Sequence, residues 1–456
     1  MVRGMPRPGA LKTLLVLALP MVLARASQSV ITFADALQVK HLGTEALVAA
    51  GTGGLNILGL AILPMGTVFI VQSFVAQLVG AGQREAVPRY AWYGAIIAAI
   101  AGAGALALIP AIDPLLGLTG YSAATRAEMS DYMAIRMYSV VAIVGTEALG
   151  NWFGGLGNTW MQMIAGLLAM VTNVVINWIL IDGHLGAPAM GVAGAALAST
   201  IASFVSLAFL GIAFWRRAGG APRTVGGTKL SVHELRRVVR FGLPNGVNWF
   251  FEFAAFQLFV NGVLASLGDD TVGALNAVLA VNSLSFMPAF GLASAGAILA
   301  GQAIGRGDRE AVWPQVRVTL AVASGWMGVI GALYLVAPRA VLELFEEPGK
   351  SGDLVSIGTT MLAIAAAWQL FDAVGITLSE TLRAAGDTLW TATARLVLAW
   401  AVFVPAAFLA VRVFDTGAVG AMICLVAYLG LLAAALAYRF RSGAWRRIEL
   451  IEPKLV

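Results

Sequence analysis

Apolar positions along the chain gather into long runs separated by short polar breaks. The runs fall at roughly 11 to 38, 47 to 80, 91 to 112, 129 to 155, 161 to 182 and 190 to 215. Six more lie at roughly 241 to 266, 273 to 304, 313 to 342, 354 to 384, 389 to 412 and 417 to 438. Each reaches the ~20 residues that an α-helix needs to cross the hydrocarbon core, and several exceed it enough to require tilt. The pattern predicts an all-α polytopic membrane protein with twelve transmembrane helices. The first run lacks a clear small-residue cleavage site, so it is expected to be a retained first helix and not a removed signal peptide.

The pattern also repeats. The stretch "AQLVGAGQREAV" (76–87) matches "GQAIGRGDREAV" (301–312) at seven of twelve positions. Near the same offset "ALPMV" at 18–22 answers "GLPNG" at 242–246, and "GLGNTW" at 155–160 answers "AAGDTLW" near 384–390. An even number of spans per half preserves direction, so the halves are predicted to be parallel six-helix lobes. The expected division is 1–218 for the N-terminal lobe, 219–238 for a cytoplasmic linker, 239–440 for the C-terminal lobe and 441–456 for a tail. Two such lobes place a cavity between them near the midplane, a plan common among secondary transporters.

Composition agrees with this organisation. Of the residues 59% are hydrophobic and only 12% charged, a balance foreign to soluble domains. A net charge of +5 would suggest nucleic acid in a soluble protein. Here the basic residues sit in alternate connections: Arg84 and Arg89, then Arg216, Arg217, Arg223, Lys229, Arg236, Arg237 and Arg240, then Arg306 and Arg309. Both ends share that side through Arg3, Arg7 and Lys12 and through Arg439, Arg441, Arg446, Arg447 and Lys454. The opposite connections carry Asp113, Asp182, Asp269, Asp270, Glu343, Glu346 and Glu347. The positive-inside rule therefore puts both termini in the cytoplasm and makes the bilayer, with no nucleic acid, the partner. The single cysteine, Cys424, excludes an intramolecular disulfide and is expected to be a small core residue.

Ionisable residues inside spans are costly, about 2.5 to 3.5 kcal/mol on insertion scales, and are functional candidates by default. Glu252 stands alone in the aromatic stretch "NWFFEFAAFQLF", and Asp372 is flanked by apolar residues in "AAAWQLFDAVGITL". They belong to the first and fourth spans of the second half and are predicted to converge. Two carboxylates in a medium of low dielectric share a proton or bind a cation; the alternative is a pair held by structural hydrogen bonds. Asp35 lies in the first span, and Asn173 and Asn177 stand one turn apart on a face of the fifth. Glu380, eight residues after Asp372, falls on a similar helical face nearer the cytoplasmic end, and Glu147 is a further span acid without an evident partner. Arg25 stands in the cytoplasmic third of the first span. Arg136 and Arg395, close to span ends, are expected to snorkel. Trp249, Phe256 and Trp368 near the two acids suit an apolar cation through cation–π attraction, although rings at such positions also serve as ordinary core. No "GxxxxGK[ST]" loop occurs, so ATP is not expected to power the protein. The three histidines fall in or beside connections, and no enzyme constellation is visible.

These features together resemble the multidrug and toxic compound extrusion (MATE) family, and its NorM-type branch in particular. The resemblance rests on "LALPM", "FADALQVKHLGTEALVAAG", "INWILIDGHLGAPAMGVAGAALAST", "GQAIGRGDREAV" and "LRAAGDT", in order across nearly the whole chain. It implies twelve helices in two lobes of a bacterial inner-membrane antiporter, a monomer without cofactor. Such a protein exports organic cations or amphipathic toxic compounds in exchange for H+ or Na+. By the same resemblance Glu252 and Asp372 fall on the cation site, which would be the Na+ site if Na+ is the coupling ion. Asp35 falls on the first-span acid, and Asn173 and Asn177 fall on the fifth-span polar pair. One rival is a flippase or exporter of lipid-linked or anionic metabolites, which calls for basic residues inside the cavity. A non-transporting membrane scaffold is the other.

Overall fold

The computed structural model describes residues 9–216, 229–343 and 354–452. The expectations placed on Arg3, Arg7, Arg217, Arg223, Glu346, Glu347 and Lys454, and on the first half of the linker, lie outside the described residues. Among the described residues every regular element is helical, because hydrocarbon offers the backbone no partners and each span must satisfy its own N–H and C=O groups. The spans are α1 (Ala10–Leu42), α2 (Thr44–Gly80), α3 (Val87–Leu116), α4 (Ala123–Met137 with Val140–Gly155), α5 (Thr159–Asp182) and α6 (Gly191–Trp215). They continue with α7 (Val232–Leu267), α8 (Asp270–Gly305), α9 (Arg309–Val336), α10 (Val355–Ala384), α11 (Thr388–Arg412) and α12 (Gly417–Arg441). Eleven are long and apolar enough to cross a membrane, and the bent pair of α4 makes the twelfth.

The starts of two spans differ most from the hydrophobic pattern. Helix α4 starts at Ala123 and not near 129, because Ser122 caps it by accepting from the Thr125 amide at 3.1 Å. It bends by 45° between Met137 and Val140, where the Ser139 hydroxyl donates to the Arg136 carbonyl at 2.6 Å and competes with the helical ladder. Helix α7 starts at Val232, inside the stretch expected to be linker. Its polar first turns are anchored by Glu234, which accepts from the Tyr93 hydroxyl at 2.6 Å and pairs with Arg89 at 3.1 Å.

The chain forms two compact units, Leu23–Gly246 and the remainder. The divisions fall within helices, just after Pro20 in α1 and Pro244 in α7, and not in the 219–238 segment. These prolines obey the repeat, as do Pro64 in α2 and Pro288 in α8. The repeated motif itself turns out to be a helix ending. Gly82 (φ +73) and Gly307 (φ +77) are left-handed, and the next amide in each case, Gln83 or Asp308, reaches back to Leu78 or Ala303. Such caps satisfy carbonyls orphaned at the helix end. "GLGNTW" and "AAGDTLW" close in the same way at Gly157 and Gly386.

In the Leu23–Gly246 unit the first half of α7 lies against α2. Asn245 donates to the Gly66 carbonyl at 2.7 Å, and a Cβ on Gly66 would stand 2.7 Å from the Gly246 Cα. The core between α2, α4 and α5 includes Ile57, Met129, Val144 and Ile181. In the other unit α10 packs among α8, α9 and α12 around Tyr334, Trp368 and Leu382. Two π-helical turns, Phe259–Val263 in α7 and Leu398–Phe403 in α11, meet there with Phe259 and Phe403 rings 4.9 Å apart. Cys424 is half-buried against this core.

Candidate functional site

A cavity of about 480 Å³ lies wholly within the Leu23–Gly246 unit, walled by α1, α2, α4, α5 and α6. Most of its wall is apolar, and its charged lining residues are Arg25, Asp35, Glu147 and Arg136. The sequence pattern placed a cavity between lobes; this one is enclosed by a single unit.

Asp35 sits on the α1 side. Its Oδ1 accepts from Asn177 Nδ2 at 2.5 Å and its Oδ2 from the Ser199 hydroxyl at 3.2 Å. Asn173 donates to the same hydroxyl at 3.0 Å and accepts from Asn177 at 3.5 Å. The geometry is built by helix spacing and close packing. Asn173 and Asn177 are four residues apart, so both face α1 and α6. Gly194 then brings α6 against α5, where a Cβ would come 2.7 Å from the Leu180 carbonyl. The sequence brought Asp35, Asn173 and Asn177 forward but missed Ser199. Serines in apolar helices commonly bond their own backbone, as Ser203 does to Ser199, and nothing in the pattern sets Ser199 apart.

Ten residues earlier on α1, about 15 Å along the axis, Arg25 pairs with Glu147 at 3.0 Å. Asn151 also donates to Glu147 at 2.9 Å. This supplies the partner that the sequence could not name. Arg136 comes from the last turn before the bend of α4 and borders the cavity beside the Tyr132 hydroxyl and within electrostatic reach of Asp35. Its Nε and Nη1 are buried and bond nothing. Snorkelling is therefore corrected for Arg136, whose guanidinium stays at the cavity wall. Its Nε and Nη1 are buried inside the Leu23–Gly246 unit, so the side chain does not extend along the helix to water.

Arg395 does not snorkel either. Its Nη1 donates to both oxygens of Glu252, at 2.9 and 2.7 Å, joining α11 to α7. Asp372 on α10 lies within electrostatic reach of both, and Tyr428 on α12 completes the group. Glu252 and Asp372 thus share a neighbourhood, but an internal cation stands with them that the sequence reading assigned to a helix end. Trp368 is buried, with its indole N–H on Asn282 at 3.3 Å. Phe256 packs on Phe259 with ring centroids 6.2 Å apart, and Trp249 is half-buried on α7. These three rings belong to the unit outside Leu23–Gly246 and do not border the cavity. Glu380 is neutralised by Arg383 one turn on, and Asp387 by Arg439 at 2.7 Å. Among the described residues no group of three or more His, Cys, Asp or Glu side chains is placed to hold a metal ion.

A family model described as MatE matches residues 20–179 and 250–409, one match in each half of the repeat. Relatives described as "Probable multidrug resistance protein NorM" include one from Thermotoga maritima, 26% identical with 96% of this chain and 94% of that protein covered. Another, from Chromobacterium violaceum, is 29% identical over 80% of this chain and 79% of the relative. Among solved structures, a MATE protein in complex with MaL6 superposes with a TM-score of 0.87 at 22% identity, over 98% of each chain. A MOP superfamily transporter from Pyrococcus furiosus gives 0.85 at 22% identity, over 98% of each chain. At these identities the superpositions speak for the fold.

Proposed function

Because the chain belongs to the MatE family, the group of transporters that its motifs resemble, we propose that it is a secondary active multidrug exporter of the bacterial inner membrane. In this reading it exchanges organic cations or amphipathic toxic compounds for H+, with both termini in the cytoplasm. The multidrug-resistance descriptions of its relatives support the substrate class. The observation that carries the mechanism is Asp35, an acid on the wall of an apolar cavity whose carboxylate is oriented by Asn177 and Ser199. A cation entering the cavity gains from the ionised carboxylate and a proton removes that gain. The two ligands therefore compete for one group, and a difference in affinity between access states drives exchange.

The choice of H+ over Na+ rests on the second acidic group. Glu252 and Asp372 with Arg395 comprise two acids and one base. A proton can neutralise the remaining charge without displacing anything. Sodium would have to settle beside a guanidinium already 2.7 to 2.9 Å from both Glu252 oxygens, against the repulsion of like charges. Charge balance also disfavours the anionic-metabolite rival: two arginines do border the cavity, yet Asp35 and Glu147 offset them. The test is efflux of rhodamine B ethyl ester, a fluorescent organic cation, from proteoliposomes under a pH gradient and a Na+ gradient imposed separately. Efflux driven by the pH gradient alone is expected; efflux driven only by Na+, or by neither, rejects the reading.

A further inference from the structure

Helix α7 begins with turns whose two sides differ. One side is fixed to protein: Glu234 holds Tyr93 and Arg89 of α3, Val238 is fully buried, and Phe241 meets the Phe74 ring edge-on at 6.2 Å. A Cβ on Gly242 would overlap the Thr67 carbonyl of α2. The other side carries Val232, Arg236, Arg240 and Leu243, whose spacing of four, four and three residues makes them one stripe. All four are exposed, Val232 by 82% and Leu243 by 42%. Among the described residues neither arginine of the stripe forms an ion pair; Arg240 rests over the Phe241 ring at 6.0 Å. Arg89, on the protein-covered side, is paired with Glu234 at 3.1 Å. Positive charge is thus neutralised where helices cover it and left open on the stripe.

The stripe lies where hydrocarbon gives way to headgroups. Beyond Arg240 the chain has no ionisable residue until Glu252. At the same end of the unit the exposed Trp215 of α6 stands edge-on to Trp92 of α3, with ring centroids 5.8 Å apart, and tryptophan gathers at the headgroup level. Arg236 and Arg240 are ~6 Å apart along the helix axis, about the depth of one headgroup layer. Two open cations set between exposed apolar side chains fit an amphiphile of opposite charge; a soluble anion would gain nothing from Val232 and Leu243. We propose that Arg236 and Arg240 form a headgroup site for an anionic phospholipid, whose phosphate engages the two guanidinium groups and whose chains run past Leu243. A lipid bound there fixes the start of α7 at the membrane surface. The inference rests on the membrane-spanning fold and is independent of the export reading.

The test equilibrates the purified full-length protein in mixed micelles containing phosphatidylglycerol and phosphatidylcholine with the same chains, and quantifies the lipid retained after free micelles are removed. The wild type is expected to retain phosphatidylglycerol in preference. The double change Arg236→Gln with Arg240→Gln is expected to bind it about 10- to 30-fold more weakly. Arg84→Gln with Arg306→Gln removes the same charge at two other exposed positions and is expected to bind as the wild type does. Equal weakening in both double variants would mean diffuse attraction by net charge and would overturn the site. A wild type without the preference, or a preference that survives Arg236→Gln with Arg240→Gln, overturns it as well. Inorganic phosphate is expected to displace no more lipid than chloride at equal ionic strength; stronger displacement would assign the site to a soluble phosphate instead of a phospholipid.

Discussion

At the level of single residues, several ionisable groups inside the spans have polar partners, and three of these contacts join helices far apart in sequence. Glu252 with Arg395 links α7 to α11, Arg25 with Glu147 links α1 to α4, and Asp35 with Asn177 links α1 to α5. A lone charge in a span is expensive, and removing one partner leaves the other uncompensated. Arg395→Met is therefore expected to lower the unfolding temperature in detergent, and the double change Glu252→Gln with Arg395→Met to recover part of the loss. The coupling in such a double-mutant cycle should be about 1 to 3 kcal/mol; strictly additive effects would mean that the pair contributes nothing. The candidate acids were legible in the sequence because a carboxylate in an apolar run stands out. Their partners were not. An arginine near a span end has two physical outcomes, snorkelling or pairing, and only the path of the neighbouring helices selects between them. The same holds for Trp368 and Phe256, whose aromatic character is the same in a core as on a cavity wall.

At the level of helices, the apolar runs foretold every span, and the departures have local causes. Polar capping at Ser122 lengthens α4, and an amphipathic first turn anchored by Glu234 lengthens α7. The bend in α4 escaped the pattern because it contains neither proline nor glycine and arises at Ser139. The strongest internal repeat is now explained as a helix cap at Gly82 and Gly307. Alanine at Gly307 must adopt the left-handed conformation and is expected to cost about 1 to 2 kcal/mol. Leucine at Gly66 would press on the Gly246 backbone and is expected to cost about 1 to 3 kcal/mol. Alanine at Gly104, an α3 position with open space around its Cβ site, should be neutral or slightly stabilising. Thermal unfolding of the three variants checks the ranking; equal stability of Gly66→Leu and Gly104→Ala would contradict the packing of α2 on α7.

At the level of the whole molecule, the twofold repeat is expressed in proline positions, helix caps and family matches, while the chemistry of the two units has diverged. One unit encloses a cavity bearing Asp35 and Arg136, and the other has a pair of acids already partnered by arginine. The division into units also departs from the sequence reading, because α1 and α7 each contribute to both units and divide just beyond a proline. Hydrophobicity marks where a helix lies in the bilayer, but it does not say which neighbours its two halves pack against. The central claim is that a proton and an organic cation compete for Asp35. It is tested most directly by adding rhodamine B ethyl ester to purified protein in weakly buffered solution and following a pH indicator. The account predicts that the wild type releases protons on binding and that Asp35→Asn releases none. Proton release from Asp35→Asn equal to that of the wild type would contradict it.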